Sequence, residues 1–137
     1  MGQRILVVDD SLTVRQQVSR ALTQAGFLVL EAVDGQDAIE KVTVTQDISL
    51  VVCDINMPRM SGLEFLEQLQ KQPMAVAIPV VMLTTEGHPE LVQQAKKLGA
   101  RGWIVKPFKP ELLVAAVRKL AGPAPTTAGV GDGARAG

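Results

Sequence analysis

Acidic residues occur where they could act together. Asp9 and Asp10 follow the apolar run Ile5–Val8, and Asp54 follows Leu50–Cys53. Thr84 and Thr85 follow a third run, Val80–Leu83, and Lys106 follows a fourth, Trp103–Val105. If the runs are strands of one parallel sheet, all six polar residues lie at carboxyl ends, where open sheets of this kind bind ligands near the switch point. Two carboxylates about 4 Å apart repel by about 4 kcal/mol at an effective dielectric of 20, so a cation is needed unless one is protonated. The candidate ligands are all oxygens, which favours a hard ion such as Mg²⁺. With Lys106 the metal forms a pocket for a phosphoryl group, and the Asp54 carboxylate can attack phosphorus to give an aspartyl phosphate. The Thr84 hydroxyl would donate to a phosphate oxygen once that group arrives.

The elements that must position these residues are legible in the hydrophobic pattern. The four runs, with a weaker candidate at Phe27–Leu30, have the length and continuity of strands covered on both faces. Helical stripes fill the intervals: Val14, Val18, Ala21, Leu22 and Ala25; Ala38, Ile39 and Val42; Leu63, Leu66 and Leu69; Leu91, Ala95 and Leu98; Leu112, Leu113, Ala116, Val117 and Leu120. Gly26, Gly99 and Gly122 follow helices one, four and five, where a left-handed cap is wanted. Ser61 with Glu64 makes a capping box for helix three. Five successive β-α units predict a doubly wound α/β fold, (βα)5 and flavodoxin-like, with a parallel five-stranded sheet of order 2-1-3-4-5. Alternation along strand three turns Cys53 away from the site that Asp54 faces.

Composition sets the outer bounds. The chain has 137 residues, 47% hydrophobic and 20% charged, which suits one soluble domain. Its 14 basic residues balance its 14 acidic ones, so overall charge favours neither nucleic acid nor an anionic membrane. A single cysteine excludes an internal disulfide, and no secretory leader or long apolar span is apparent, so a cytoplasmic protein is expected. Residues 122–137 are mostly Gly, Ala, Pro and Thr without apolar periodicity and read as a disordered tail after a domain at 1–121.

The motifs Asp9-Asp10-Ser11, Val51-Val52-Cys53-Asp54-Ile55-Asn56-Met57-Pro58, Gly62, Leu83-Thr84-Thr85-Glu86 and Lys106-Pro107-Phe108 together resemble the response-regulator receiver family, and most closely its free-standing chemotaxis-type members. The resemblance covers residues 4 to 121. It implies a two-component signalling protein with no output domain, a phosphoacceptor at Asp54, and Mg²⁺ held by Asp10, Asp54 and the Asn56 carbonyl, with Asp9 assisting through water. It implies that Lys106 pairs with the phosphate and that the Lys106-Pro107 bond is cis. It also implies that Asn56 and Glu86, which match the chemotaxis-type members, stand at positions that tune self-dephosphorylation. The expected partners are a histidine kinase and a downstream protein reading the face of helix four, strand five and helix five. The chain would be a monomer or weak dimer and catalyse only its own phosphotransfer and dephosphorylation.

Several residues have plainer readings. Asp9, Asp10 and Asp54 could be helix-capping acids, Lys106 a solvated loop lysine and Thr84 a turn cap, but their convergence favours the metal and phosphate reading. Trp103 stands where the family usually has Tyr or Phe as its switch aromatic; here switch and half-buried packing weigh equally. His88 reads as a loop histidine, Cys53 as a small core residue, and Lys96, Lys97 and Arg101 as a wet helix end. The rivals are a haloacid-dehalogenase-like phosphohydrolase, which would want an acid where Asn56 stands, and a receiver used only as a phosphorylation-independent scaffold.

Overall fold

The computed structural model describes residues 3–45, 47–57, 60–72, 78–85 and 89–121. Strands and helices alternate through them: β1 (Arg4–Val8), α1 (Leu12–Gln24), β2 (Leu28–Ala32), α2 (Gly35–Val44), β3 (Ile48–Asp54), α3 (Gly62–Gln70), β4 (Val80–Thr84), α4 (Pro89–Lys97), β5 (Gly102–Val105) and α5 (Pro110–Ala121). The strands form one parallel sheet in the order β2-β1-β3-β4-β5, as the sequence pattern predicts.

Strand alternation divides the core in two. Ile5, Val7, Leu50, Val52, Val81 and Leu83 pack with Val18 and Leu22 of α1 and Leu113 and Val117 of α5. Leu6, Val8, Val51, Cys53, Val80 and Met82 pack with α2, α3 and α4, where Phe65 and Leu66 are fully buried. Burying side chains on both faces explains the continuous apolar runs of β1, β3 and β4. The edge strands differ. β5 alternates between half-buried and exposed positions, and Leu28 at the start of β2 is exposed.

β2 runs over 28–32 rather than 27–30, because Phe27 turns into the α1/α5 core while Glu31 and Ala32 continue the pairing with β1. Leu112, expected in the buried stripe of α5, is exposed; Leu113 and Val117 centre that stripe, and Leu112 lies 100° round the helix from Leu113.

Local signals end the helices. The Ser11 hydroxyl accepts from Val14 N–H to cap α1, Asp34 caps α2 through Asp37 N–H, and Ser61 and Glu64 form both halves of the capping box on α3. Gly26 and Gly99 take φ of 98° and 104° after α1 and α4. Gly122 and the tail at 122–137 lie outside the described residues.

Candidate functional site

The site is built on the carboxyl ends of three strands. Asp9 follows β1, Asp54 ends β3 and Lys106 follows β5, and alternation sends both carboxylates to the α1/α5 side of the sheet. Asp9 has no exposed surface and Asp54 is buried, whereas Asp10 is exposed. Asp9, Asp10 and Asp54 each offer a carboxylate oxygen, all within 4.8 Å of one another.

Lys106 reaches into this group. Its Nζ lies 3.1 Å from Asp9 Oδ2 and 3.3 Å from Asp54 Oδ1. The ammonium therefore supplies part of the positive charge that the clustered carboxylates require. Burial and the Asp9 charge raise the Asp54 pKa, and the cation and hydrogen bond of Lys106, with the Asn56 N–H, pull it back without cancelling the rise. One cation against three carboxylates leaves the site acidic. A divalent ion fits this donor set of oxygens, and Asp9, Asp10 and Asp54 are the residues that could hold it.

Backbone contacts aim the acids. Asp9 N–H donates to Ala32 O at 3.2 Å, and Ser11 N–H donates to Asp9 Oδ1 at 2.9 Å. Asn56 is exposed, and its N–H lies 3.4 Å from Asp54 Oδ1. Gly62 N–H donates to Ile55 O at 2.8 Å, bringing the start of α3 against the end of β3. A Cβ at Gly62 would collide with Asp54 O, and would lie 2.7 Å from Met82 Cε and 2.9 Å from Ile55 Cα. The close approach, rather than a positive φ, makes glycine necessary there.

Thr84 ends β4 and is buried, while Thr85 beside it is exposed. Thr84 pairs in register with Val105, and Met82 with Trp103, so Thr84 and Trp103 share the α4 face of the sheet. Trp103 is not core: it is 38% exposed, and Lys96 Nζ stands 4.7 Å from its ring centroid. Lys96, read from sequence as part of a wet helix end, therefore makes a cation–π contact. The Lys106-Pro107 bond is cis. Cys53 packs in the opposite core, and burial, with the Asp54 and Asp9 charges, pushes its thiol well above the usual range. Beside Lys106 a groove of about 720 Å³ opens between α1 and the segment after β5, lined by Thr13, Gln17, Arg20, Thr85, Pro107 and Phe108. Pro58, Glu86, Gly87 and His88 lie outside the described residues.

Sequence reasoning missed two site features. Arg15 Nη1 donates to Asp9 O at 2.8 Å, and the close approach at Gly62 has a steric cause invisible without coordinates. Arg15 stands three and seven residues before the buried Val18 and Leu22, at the margin of the apolar stripe of α1, and a charged residue at that margin does not by itself name its partner.

This sheet order, with acidic residues at its switch point and a lysine facing them, defines the response-regulator receiver class. The chain belongs to that family: residues 5–118 match the response regulator receiver domain. Within it the chain is of the CheY, chemotaxis-like type. It is 40% identical over 111 residues to the chemotaxis protein CheY1 of Helicobacter pylori, covering 80% of this chain and 90% of that one. The solved Vibrio cholerae chemotaxis protein CheY4 superposes with a TM-score of 0.83 at 40% identity, over 88% of this chain and 99% of that one. The receiver domain of a Pseudomonas aeruginosa sensor histidine kinase, with a magnesium ion coordinated in its active-site cleft, shares the fold at 21% identity, with a TM-score of 0.81 over 88% of this chain and 98% of that one. The haloacid-dehalogenase-like reading gives way to this match. No helix among the described residues is long and apolar enough to cross a membrane.

Proposed function

We infer that this receiver is a cytoplasmic, single-domain response regulator whose Asp54 takes a phosphoryl group from a histidine kinase in a chemotaxis- or motility-type pathway. The observation that carries the reading is the buried Asp54 carboxylate, in an acidic group with Asp9 and Asp10 and within 3.3 Å of the Lys106 ammonium. Asp9, Asp10 and Asp54 would hold Mg²⁺, with the Asn56 carbonyl as a further ligand. When bound, the ion supplies charge neutralisation on the phosphoryl oxygens and relieves the repulsion among the acids. Asp54, once unprotonated, forms the new O–P bond while the donor's bond to phosphorus breaks and the donor leaves with that electron pair. The groove beside Lys106 gives a donor its approach.

Lys106 then exchanges its bond to Asp54 for one to the phosphoryl oxygens, and the Thr84 hydroxyl donates to another, with Thr85 at the edge of the pocket. Drawing Thr84 toward the phosphate changes the surroundings of Trp103 on the same sheet face. Trp103, Val105 and Leu112 are exposed apolar residues on β5 and α5, and the α4/β5/α5 face they mark is where a downstream protein would bind. Carrying the active fraction from 1:99 to 99:1 requires a preference of about 5.5 kcal/mol, a load that charge-assisted contacts from Thr84 and Lys106 share. Asn56 and Glu86 would set the lifetime of the phosphoryl group, and the chain would act as a monomer or weak dimer.

The test is incubation with radiolabelled acetyl phosphate or candidate kinases, with and without Mg²⁺. Acid-stable, alkali-labile label that requires Mg²⁺ and disappears in Asp54→Asn is the expected result. Absence of label in the folded, Mg²⁺-loaded protein refutes the reading. Full pathway function of Asp54→Asn in the cell would point instead to a phosphorylation-independent scaffold.

A further inference from the structure

Asp9 is held at its N–H, at both carboxylate oxygens and at its carbonyl. Its N–H donates to Ala32 O, its Oδ1 accepts from Ser11 N–H and its Oδ2 faces Lys106, all within the site or the sheet. Its carbonyl is held from outside the site by Arg15 of α1, whose Nη1 donates to it at 2.8 Å. Arg15 is in turn held by Glu31 of β2, with Nε donating to Glu31 Oε1 at 3.1 Å, and Ser19 Oγ donates to Glu31 Oε2 at 3.1 Å. Lys41 of α2 fixes the same strand by donating to Glu31 O at 2.6 Å.

We propose that Arg15 and Glu31 are positioning residues for the metal site. Arg15 clamps the β1–α1 turn so that Asp9 and Asp10 present their carboxylates toward Asp54, and Glu31 orients the clamp. The proposal rests on the reading of the acidic group as a Mg²⁺ site. Three features carry it. The Arg15 side chain is only 12% exposed and Asp9 has no exposed surface, so the bond between them is shielded from competing water, while Glu31 holds the outer end of the guanidinium. Two different N–H groups of one planar guanidinium serve two partners at once, which a lysine with a single nitrogen cannot reproduce in the same geometry. Finally, the bond falls on the backbone of Asp9, next to Asp10, rather than on a carboxylate, so Arg15 governs where the acids point without neutralising them. Outer partners of this kind typically change metal affinity by about 10–100-fold when removed.

Charge alone predicts the opposite sign. Deleting a cation near an acidic site should tighten binding of a divalent cation, whereas loosening the turn should weaken it. Calorimetric titration of the full chain with Mg²⁺ therefore separates the two. Arg15→Ala is expected to bind Mg²⁺ roughly tenfold more weakly than the wild type, at the low end for an outer partner. Arg15→Lys, which keeps the charge and is mild toward folding, is expected to weaken binding too. Glu31→Ala should weaken it, and the Arg15→Ala/Glu31→Ala double variant should be no weaker than Arg15→Ala alone, because both act through one contact. Faster hydrogen exchange of the Ser11 amide in each variant would report the loosened turn directly. Unchanged or tighter Mg²⁺ binding in Arg15→Ala, wild-type binding in Arg15→Lys, or additive losses in the double variant would overturn the proposal. If Arg15→Ala does not fold, Arg15→Lys carries the test. Wild-type protein without measurable Mg²⁺ binding would overturn the metal-site reading and the proposal with it.

Discussion

Replacing Gly62 by Ala is expected to damage the fold and the acceptor site together. The added methyl would meet Asp54 O and Ile55 Cα, both backbone, and Met82 Cε at 2.7 Å. The methionine tip can rotate away; the backbone at the end of β3 can yield only by moving Asp54. Overpacking of this kind costs about 1–3 kcal/mol, and straining the Gly62 N–H bond to Ile55 O adds about 1 kcal/mol. Higher helix propensity at the first position of α3 returns at most about 1 kcal/mol. The net loss is about 1–3 kcal/mol, which for a domain of this size lowers Tm by about 3–15 °C. Gly26→Ala makes the control, because no atom lies within 4 Å of its Cβ and only the φ of 98° opposes it, a cost of about 1 kcal/mol. Thermal unfolding measures both variants, and Mg²⁺-dependent labelling by acetyl phosphate at a temperature where Gly62→Ala is folded measures the site. Gly62→Ala should lose labelling while Gly26→Ala keeps it. A Gly62→Ala protein with wild-type Tm and wild-type labelling would show that the end of β3 tolerates displacement and refute the reasoning.

Further outcomes follow from the same contacts. Because burial and Asp9 hold the Asp54 pKa above its ordinary value, the Asp54 contribution to metal-free stability is present below that ordinary value and is lost as pH rises through the raised one. Asp54→Asn should accordingly stabilise the metal-free protein at neutral pH and remove that slope, as urea unfolding across pH would measure; destabilisation would contradict the argument. Lys106→Met strands the fully buried Asp9 beside Asp54, and should destabilise the metal-free protein by about 3 kcal/mol at neutral pH, with partial recovery on adding Mg²⁺. Lys96→Ala should cost only about 0.5 kcal/mol yet shift the emission of Trp103, the sole indole, and an unchanged spectrum would deny the cation–π contact in solution. Beryllofluoride with Mg²⁺ should also change that emission; no response while the metal binds would count against a switch involving Trp103.

How far each feature could be read ahead depends on whether its cause is local. Apolar runs announced the strands because a strand covered on both faces leaves no polar position, and Ser61 with Glu64 announced a helix start because a cap is satisfied within one turn. The switch-point rule then gathered Asp9, Asp54, Thr84 and Lys106 to one sheet edge before any coordinate was known. Where burial is partial the pattern blurred: β2 shifted by a residue or two, and Leu112 proved exposed. Trp103 was undecidable because residue type does not reveal which neighbour crosses the edge strand, and Lys96 of α4 supplies that answer.

The sequence by itself determined the order of elements, the doubly wound sheet and the membership of the acidic group, since periodicity and strand-end position are properties of the chain. Only the tertiary structure decided that Lys106 lies between Asp9 and Asp54, that α3 leaves no room for a side chain at residue 62, and that Arg15 bonds both the Asp9 carbonyl and Glu31 of β2. These contacts join residues from elements far apart in the chain, and their distances follow from how helices settle on the sheet, a sum of packing over the whole core that no local pattern encodes.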